Sequence, residues 1–127
     1  CILSERDFAH GDLLVMARPI GGLRMIDRGQ ADDKIIAVLD QDVAYGGFTD
    51  IDQCPESIIT RLKHYFLSYK SPPTNGRPKR VVQIQKVYNR KEAMEVIRRS
   101  LADYKESYGS QESRLAKLRA LLTASVK

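Results

Sequence analysis

Tryptophan is absent from the 127 residues, and cysteine and histidine occur only twice each. Two cysteines, Cys1 and Cys54, make no disulfide framework, and neither sits in a Cys-x-x-Cys or Cys/His cluster of the kind that holds zinc. Each reads as a small apolar side chain in a reducing, cytoplasmic setting. No apolar run approaches the roughly 18 residues needed to span a bilayer, and no basic segment leads into an apolar one as in a secretory signal. Gly-x-Ser-x-Gly, Walker and Gly-x-Gly-x-x-Gly motifs are missing too, which removes the usual markers of serine hydrolases, P-loop enzymes and dinucleotide binders. The first residue is not Met, and Cys1-Ile2-Leu3 reads as the middle of a buried strand, so a fragment or processed product is expected.

What is present suits one domain with a modest core: 43% of residues are hydrophobic. The net charge of +5 is unevenly spread. Residues 1–60 hold 11 acidic and 5 basic side chains, net −6, whereas residues 61–127 hold 16 basic and 5 acidic, net +11. The first half is better suited to cations and the second to anions, although a solvated face would look the same.

Patterning predicts a sheet first and helices later, an α+β arrangement. Strand signals fall at residues 1–5, Leu13–Arg18, Leu23–Ile26, Lys34–Leu39 and Arg80–Tyr88, with Pro19 and Gly21-Gly22 marking a bulge or corner. Asp27–Asp33 is a polar connection, and Gln41–Gln53 a loop with room for a short helical turn. Pro55 suits the start of a helix running to about Lys70, with Ile58, Ile59, Leu62, Tyr65, Phe66 and Tyr69 on its apolar face. Ser71–Pro78, with three prolines and Asn75-Gly76, is a loop. Asn89 can cap a helix over Arg90–Tyr108 with Ala93, Val96, Ile97, Leu101 and Tyr104 inward, and Gly109 can end it. Ser110 can cap a last amphipathic helix carrying Leu115, Leu118, Leu121 and Leu122. The expected domain is thus 1–127, with 110–127 as an added helix.

Chemistry concentrates at Asp27, Asp32, Asp33 and Lys34. If the flanking strands pair as a hairpin, these residues converge at one rim. Converging carboxylates suit a hard, oxygen-seeking cation such as Mg²⁺, with Mn²⁺ as a substitute, and an adjacent ammonium attracts a phosphate oxygen. Cation and ammonium together are what phosphoryl chemistry needs to neutralise charge. An exposed hairpin loop has the same composition, so spacing alone leaves both readings open. Tyr69-Lys70 is a second candidate, equally explained by a core-edge tyrosine and a cation at a helix C-terminus. His10 and His64 have no ligand-like neighbours, and His64 fits a surface position, a core edge or a subunit contact better than a catalytic role.

Gly21-Gly22-Leu23-Arg24-Met25-Ile26-Asp27, with Asp32 and Lys34, resembles the soluble (family I) inorganic pyrophosphatase pattern G-x-L-x-M-x-D-x-x-x-x-D-x-K at every fixed position. His64-Tyr65-Phe66-Leu67-Ser68-Tyr69-Lys70 is similar to that family's H-[FY]-F-x-x-Y-K, and the likeness covers roughly residues 1–105. The resemblance implies an OB-like five-stranded barrel, here partial, with flanking C-terminal helices. It implies Mg²⁺-dependent hydrolysis of pyrophosphate to two phosphates. Asp27 and Asp32 would be metal ligands; Lys34, Tyr69 and Lys70 would bind the phosphates. Asp33 has no fixed counterpart and would either support the ligands without touching the metal or face solvent.

The family's D-x-D-P-x-D motif does not occur in these residues, so no catalytic base is identified and the chain alone is expected to be inactive. Pyrophosphate and phosphate are the expected partners, with neither nucleic acid nor membrane, in a homo-oligomer. The competing reading is an OB-like module that binds nucleic acid or protein without catalysis; it predicts a steep fall of affinity with salt.

Overall fold

The computed structural model describes residues 1–8, 11–69, 82–109 and 112–116. Two compact units divide the chain, Cys1–Met94 and Glu95–Lys127.

The first unit is built on a long central strand. In chain order its elements are β1 (Ile2–Leu3), β2 (Ala17–Asp27), β3 (Gln30–Ala31), β4 (Lys34–Leu39), a 3₁₀ turn (Ile51–Gln53), α1 (Glu56–Ser68), β5 (Val82–Asn89) and the first turn of α2 (Arg90–Tyr108). β2 pairs antiparallel with β3 and β4 along one edge and with β5 along the other, and β1 adds to β4 in parallel. The five strands form a mixed, open sheet. The OB-like architecture appears as an unclosed sheet with helices following it.

β2 turns into β3 through Arg28-Gly29, whose φ values of 54° and 80° are both positive. That is the requirement of a type I′ hairpin turn, which glycine meets without a side-chain clash. Asp27–Asp33 is therefore a tight hairpin plus a short strand: the polar connection joins two strands that do pair as a hairpin. Register is continuous from Asp27↔Gln30 to Gly21↔Ile36, and Asp32 N–H donates to the Met25 carbonyl at 2.9 Å where β3 gives way to β4. Between Pro19 and Gly21 the ladder slips by one residue and leaves Ile20 as the extra one, so the expected bulge lies inside a continuous strand.

Cross-strand partners share a face. One face carries Leu23, Met25 and Asp27 of β2, opposite Lys34 of β4 and Val87, Ile84 and Val82 of β5. Leu23, Met25 and Ile36 join Ile59 and Phe66 of α1 and Ile51 of the 3₁₀ turn in the hydrophobic core. The other face carries Arg24, Lys86 and Tyr88.

Leu13–Arg18 departs from its expected buried strand. β2 begins only at Ala17, and Leu13, Leu14 and Met16 are exposed. The ladder explains this: β4 ends at Leu39, opposite Ala17, where Asp40 and Gln41 turn the chain away. Hydrophobicity alone makes no strand without a neighbour to accept its hydrogen bonds.

The helices match more closely. α1 starts after Pro55, and Tyr69 forms its C-cap by donating its N–H to the Tyr65 carbonyl at 2.9 Å. Asn89 caps α2, its Oδ1 accepting from Glu92 N–H at 3.1 Å. Gly109 N–H donates to the Lys105 carbonyl at 2.8 Å at the other end. Of the five residues expected to face inward on α2, only Ala93 is buried.

In the second unit Leu101 and Tyr104 are exposed, because among the described residues that unit holds only helical segments with no sheet to bury them. There Tyr104 and Tyr108 pair with ring centroids 4.9 Å apart, and Arg114 hydrogen-bonds the Tyr104 hydroxyl. Residues 112–116 are helical, while Ser110, Leu118, Leu121 and Leu122 of the expected last helix lie outside the described residues, as does the Ser71–Pro78 loop.

Candidate active site

Asp27 ends β2 on the core-facing side of the sheet and is 8% exposed, the only buried charged side chain among the described residues. A carboxylate in that position carries a desolvation cost and needs charge or hydrogen-bond compensation. The hairpin brings its neighbours round. Asp32 lies opposite Met25 in the continuous register and so shares the face of Asp27, and Lys34, opposite Leu23, does the same. Asp32 and Lys34 form an ion pair in which both side chains are partly buried, 28% and 20% exposed. Three of the five expected site residues thus stand on one face of one hairpin.

Tyr69 stands at the C-terminal end of α1 and is 42% exposed. Its ring stacks on Tyr65, with centroids 5.1 Å apart, and meets Phe66 edge-on at 5.9 Å. Phe66 belongs to the same apolar cluster as Leu23 and Met25. This end of α1 therefore lies on the side of the sheet that carries Asp27. Lys70 lies outside the described residues.

The reverse face holds groups that sequence reasoning passed over. Glu92, in the first turn of α2, accepts from Arg24 at 2.6 Å and from Lys86 at 2.8 Å. Tyr88 is 3% exposed, and its hydroxyl stands 3.4 Å from Asp33 Oδ2. Burial and the nearby Asp33 charge push the Tyr88 hydroxyl well above its ordinary pKa of 10.0, so it remains a neutral donor at physiological pH. Alternation along the hairpin, with Asp32 forward and Asp33 behind, was a signal for the side on which Asp33 lies, though not for its partner.

The two forward carboxylates offer only oxygen donors, beside a lysine, which fits a hard divalent cation better than a soft one. Among the described residues no three His, Cys, Asp or Glu side chains gather closely enough to enclose an ion by themselves. What this arrangement can do is hold one side of a cation and present an ammonium beside it.

Residues 1–105 match the family model described as inorganic pyrophosphatase. The chain belongs to the inorganic pyrophosphatase family. It is 46% identical over 107 residues to an inorganic pyrophosphatase of Chlamydia muridarum, covering 82% of this chain and 51% of that protein. It is 40% identical over 92 residues to a soluble inorganic pyrophosphatase 2 of Chlamydomonas reinhardtii, covering 72% and 45% respectively. Among solved structures it is similar to the Thermus thermophilus inorganic pyrophosphatase, with a TM-score of 0.70 at 30% identity over 82% of this chain and 58% of that one. The Helicobacter pylori inorganic pyrophosphatase gives a TM-score of 0.69 at 29% identity, covering 82% and 59%. The chain spans about half the length of the curated relatives it matches. Among the described residues, no helix is long and apolar enough to cross a membrane.

Proposed function

We propose that these residues form the cation- and phosphate-holding part of a site that hydrolyses pyrophosphate to two phosphates in a soluble, cytoplasmic enzyme. The observation that carries the reading is the placement of Asp27, Asp32 and Lys34 on one face of a single hairpin, with Asp27 buried at its end. Asp27 and Asp32 hold Mg²⁺, with Mn²⁺ as a substitute. When bound, such an ion neutralises phosphate charge and lowers the pKa of an attacking water.

Lys34 has two partners in this scheme. Without substrate it neutralises Asp32. With pyrophosphate present, its ammonium turns to a phosphate oxygen, and Asp32 is left to the cation. Tyr69 adds a hydroxyl donor at the C-terminal end of α1, and Lys70, next to it in sequence, a second point charge. Family membership and the forward-facing carboxylates support these assignments. They also make hydrolysis a property of the whole protein, because no residue here is assigned as the base that deprotonates water. A homo-oligomer completes the proposal, with the exposed side of α1 around His64 and Leu67 as a contact.

A phosphate-release assay in Mg²⁺ tests the function, using this chain alone and mixed with the part of the C. muridarum relative that lies outside the 107 matched residues. No turnover alone and turnover in the mixture is the expected pattern. Absence of turnover in both, with the mixture shown by sedimentation to associate, would count against it.

A further inference from the structure

Asp32-Asp33 is the junction between β3 and β4 in the central hairpin. β3 ends at Ala31 and β4 begins at Lys34, so two residues lie outside the regular ladder. A strand that slips or rotates there would send Asp32 to the wrong face, since neighbouring side chains point to opposite sides. The Asp32 N–H bond to Met25 holds the backbone at this junction, and side-chain contacts on the reverse face can hold it further.

On the reverse face, Tyr88 of β5 sits opposite Gly22. A Cβ on Gly22 would lie 2.4 Å from Tyr88 Cζ and 2.5 Å from its hydroxyl, so the ring lies flat across β2 at this glycine. This crossing carries the hydroxyl from β5 over the central strand to Asp33 on the far side, 3.4 Å from Oδ2. Only a residue without a side chain at position 22 leaves the passage open.

We propose that Tyr88 is a positioning residue: by reaching over Gly22 to hold Asp33 behind the sheet, it turns Asp32 forward onto the face of Asp27 and Lys34. The inference rests on the reading of Asp27 and Asp32 as cation ligands. Burial keeps the Tyr88 hydroxyl protonated, as a donor must be. The Arg24–Glu92–Lys86 ion pairs anchor β5 and α2 to β2 beside it and keep the ring from drifting.

The test is Mn²⁺ binding to the full chain, followed by paramagnetic broadening of the Asp27 amide signal, in wild type and in Asp32→Ala, Tyr88→Phe, Asp33→Ala and Asp33→Asn. Tyr88→Phe keeps the ring over Gly22 and removes only the hydroxyl. Groups that orient a metal ligand without touching the metal typically change affinity by about 10- to 100-fold. The expectation is roughly tenfold weaker binding in Tyr88→Phe and in Asp33→Ala, and no further loss when the two are combined, because they remove one contact. Asp33→Asn keeps an acceptor oxygen for the hydroxyl and should bind close to wild type, a rescue that a general loss of stability would not produce. Wild-type affinity in Tyr88→Phe beside weakened binding in Asp32→Ala overturns the positioning role alone. Unchanged binding in Asp32→Ala overturns the cation reading and the positioning role with it.

Discussion

Tyr88 lies across Gly22, with its Cζ 2.4 Å from the point a Cβ on that glycine would occupy. Gly22, at the variable position between Gly21 and Leu23 of the G-x-L-x-M-x-D pattern, is therefore a passage for an aromatic side chain from the neighbouring strand.

Replacing it closes the passage. Gly22→Ala should destabilise the chain by about 1–3 kcal/mol, the usual cost of overpacking a close-packed site. In a Tyr88→Ala background the same substitution should cost much less, since the obstructing ring is gone. Denaturant melts of the four chains give the coupling. An equal cost in both backgrounds would place the strain elsewhere.

The same tyrosine predicts an alkaline limb in stability. Its folded pKa is raised above the ordinary value of 10.0 by burial and by the Asp33 charge. The unfolded chain therefore loses this proton first. The contribution is fully present below about pH 10 and is lost as pH rises from there toward the folded pKa. Wild type should lose stability above pH 10 more steeply than Tyr88→Phe, read as the difference between their denaturation midpoints at matched pH. Parallel curves would show that the hydroxyl ionises freely in the fold.

Asp50 ties two helix starts together. Its Oδ1 accepts from Ile51 N–H at 2.7 Å and its Oδ2 from Arg90 N–H at 3.2 Å. Asp50→Ala leaves both N-termini without this acceptor and should cost about 1–2 kcal/mol, as N-cap losses do. Asp50→Asn should recover part of that. A stability change within error for Asp50→Ala would mean that water replaces the side chain at both ends.

Lys34→Ala should move two affinities in opposite directions. Removing the ammonium frees Asp32 from its ion pair, so Mg²⁺ should bind this chain several-fold more tightly. Pyrophosphate should bind more weakly, because the point charge for its oxygen is lost. Calorimetry with each ligand separately checks both signs. A fall in both affinities would indicate that Lys34 acts only by holding the hairpin.

These relationships were unequally legible in the sequence. Lys34–Leu39 and Arg90–Tyr108 match their elements end to end, because local signals define them: a β-branched run for the strand, and Asn89 and Gly109 for the helix. Leu13–Met16 reads as a strand by composition, yet whether it pairs depends on where β4 stops. Arg28-Gly29 was missed as a turn because Arg carries no preference for positive φ; the paired register on either side supplies it. Asp27, Asp32 and Lys34 were legible as a spacing, and the hairpin explains it: the residues at 27, 32 and 34 fall on one face. Tyr88 was not legible, since its partner Asp33 is 55 residues away and only the sheet brings them together.

The most direct test is calorimetric titration of pyrophosphate into the chain in the presence of Mg²⁺, for wild type and for Asp27→Asn, which keeps the side chain's size and removes its charge. Mg²⁺-dependent binding in wild type that is lost or weakened at least tenfold in Asp27→Asn is the expected result. Binding that is equally strong in Asp27→Asn, or that needs no Mg²⁺ in wild type, would contradict the assignment of this hairpin as the cation-holding part of the site.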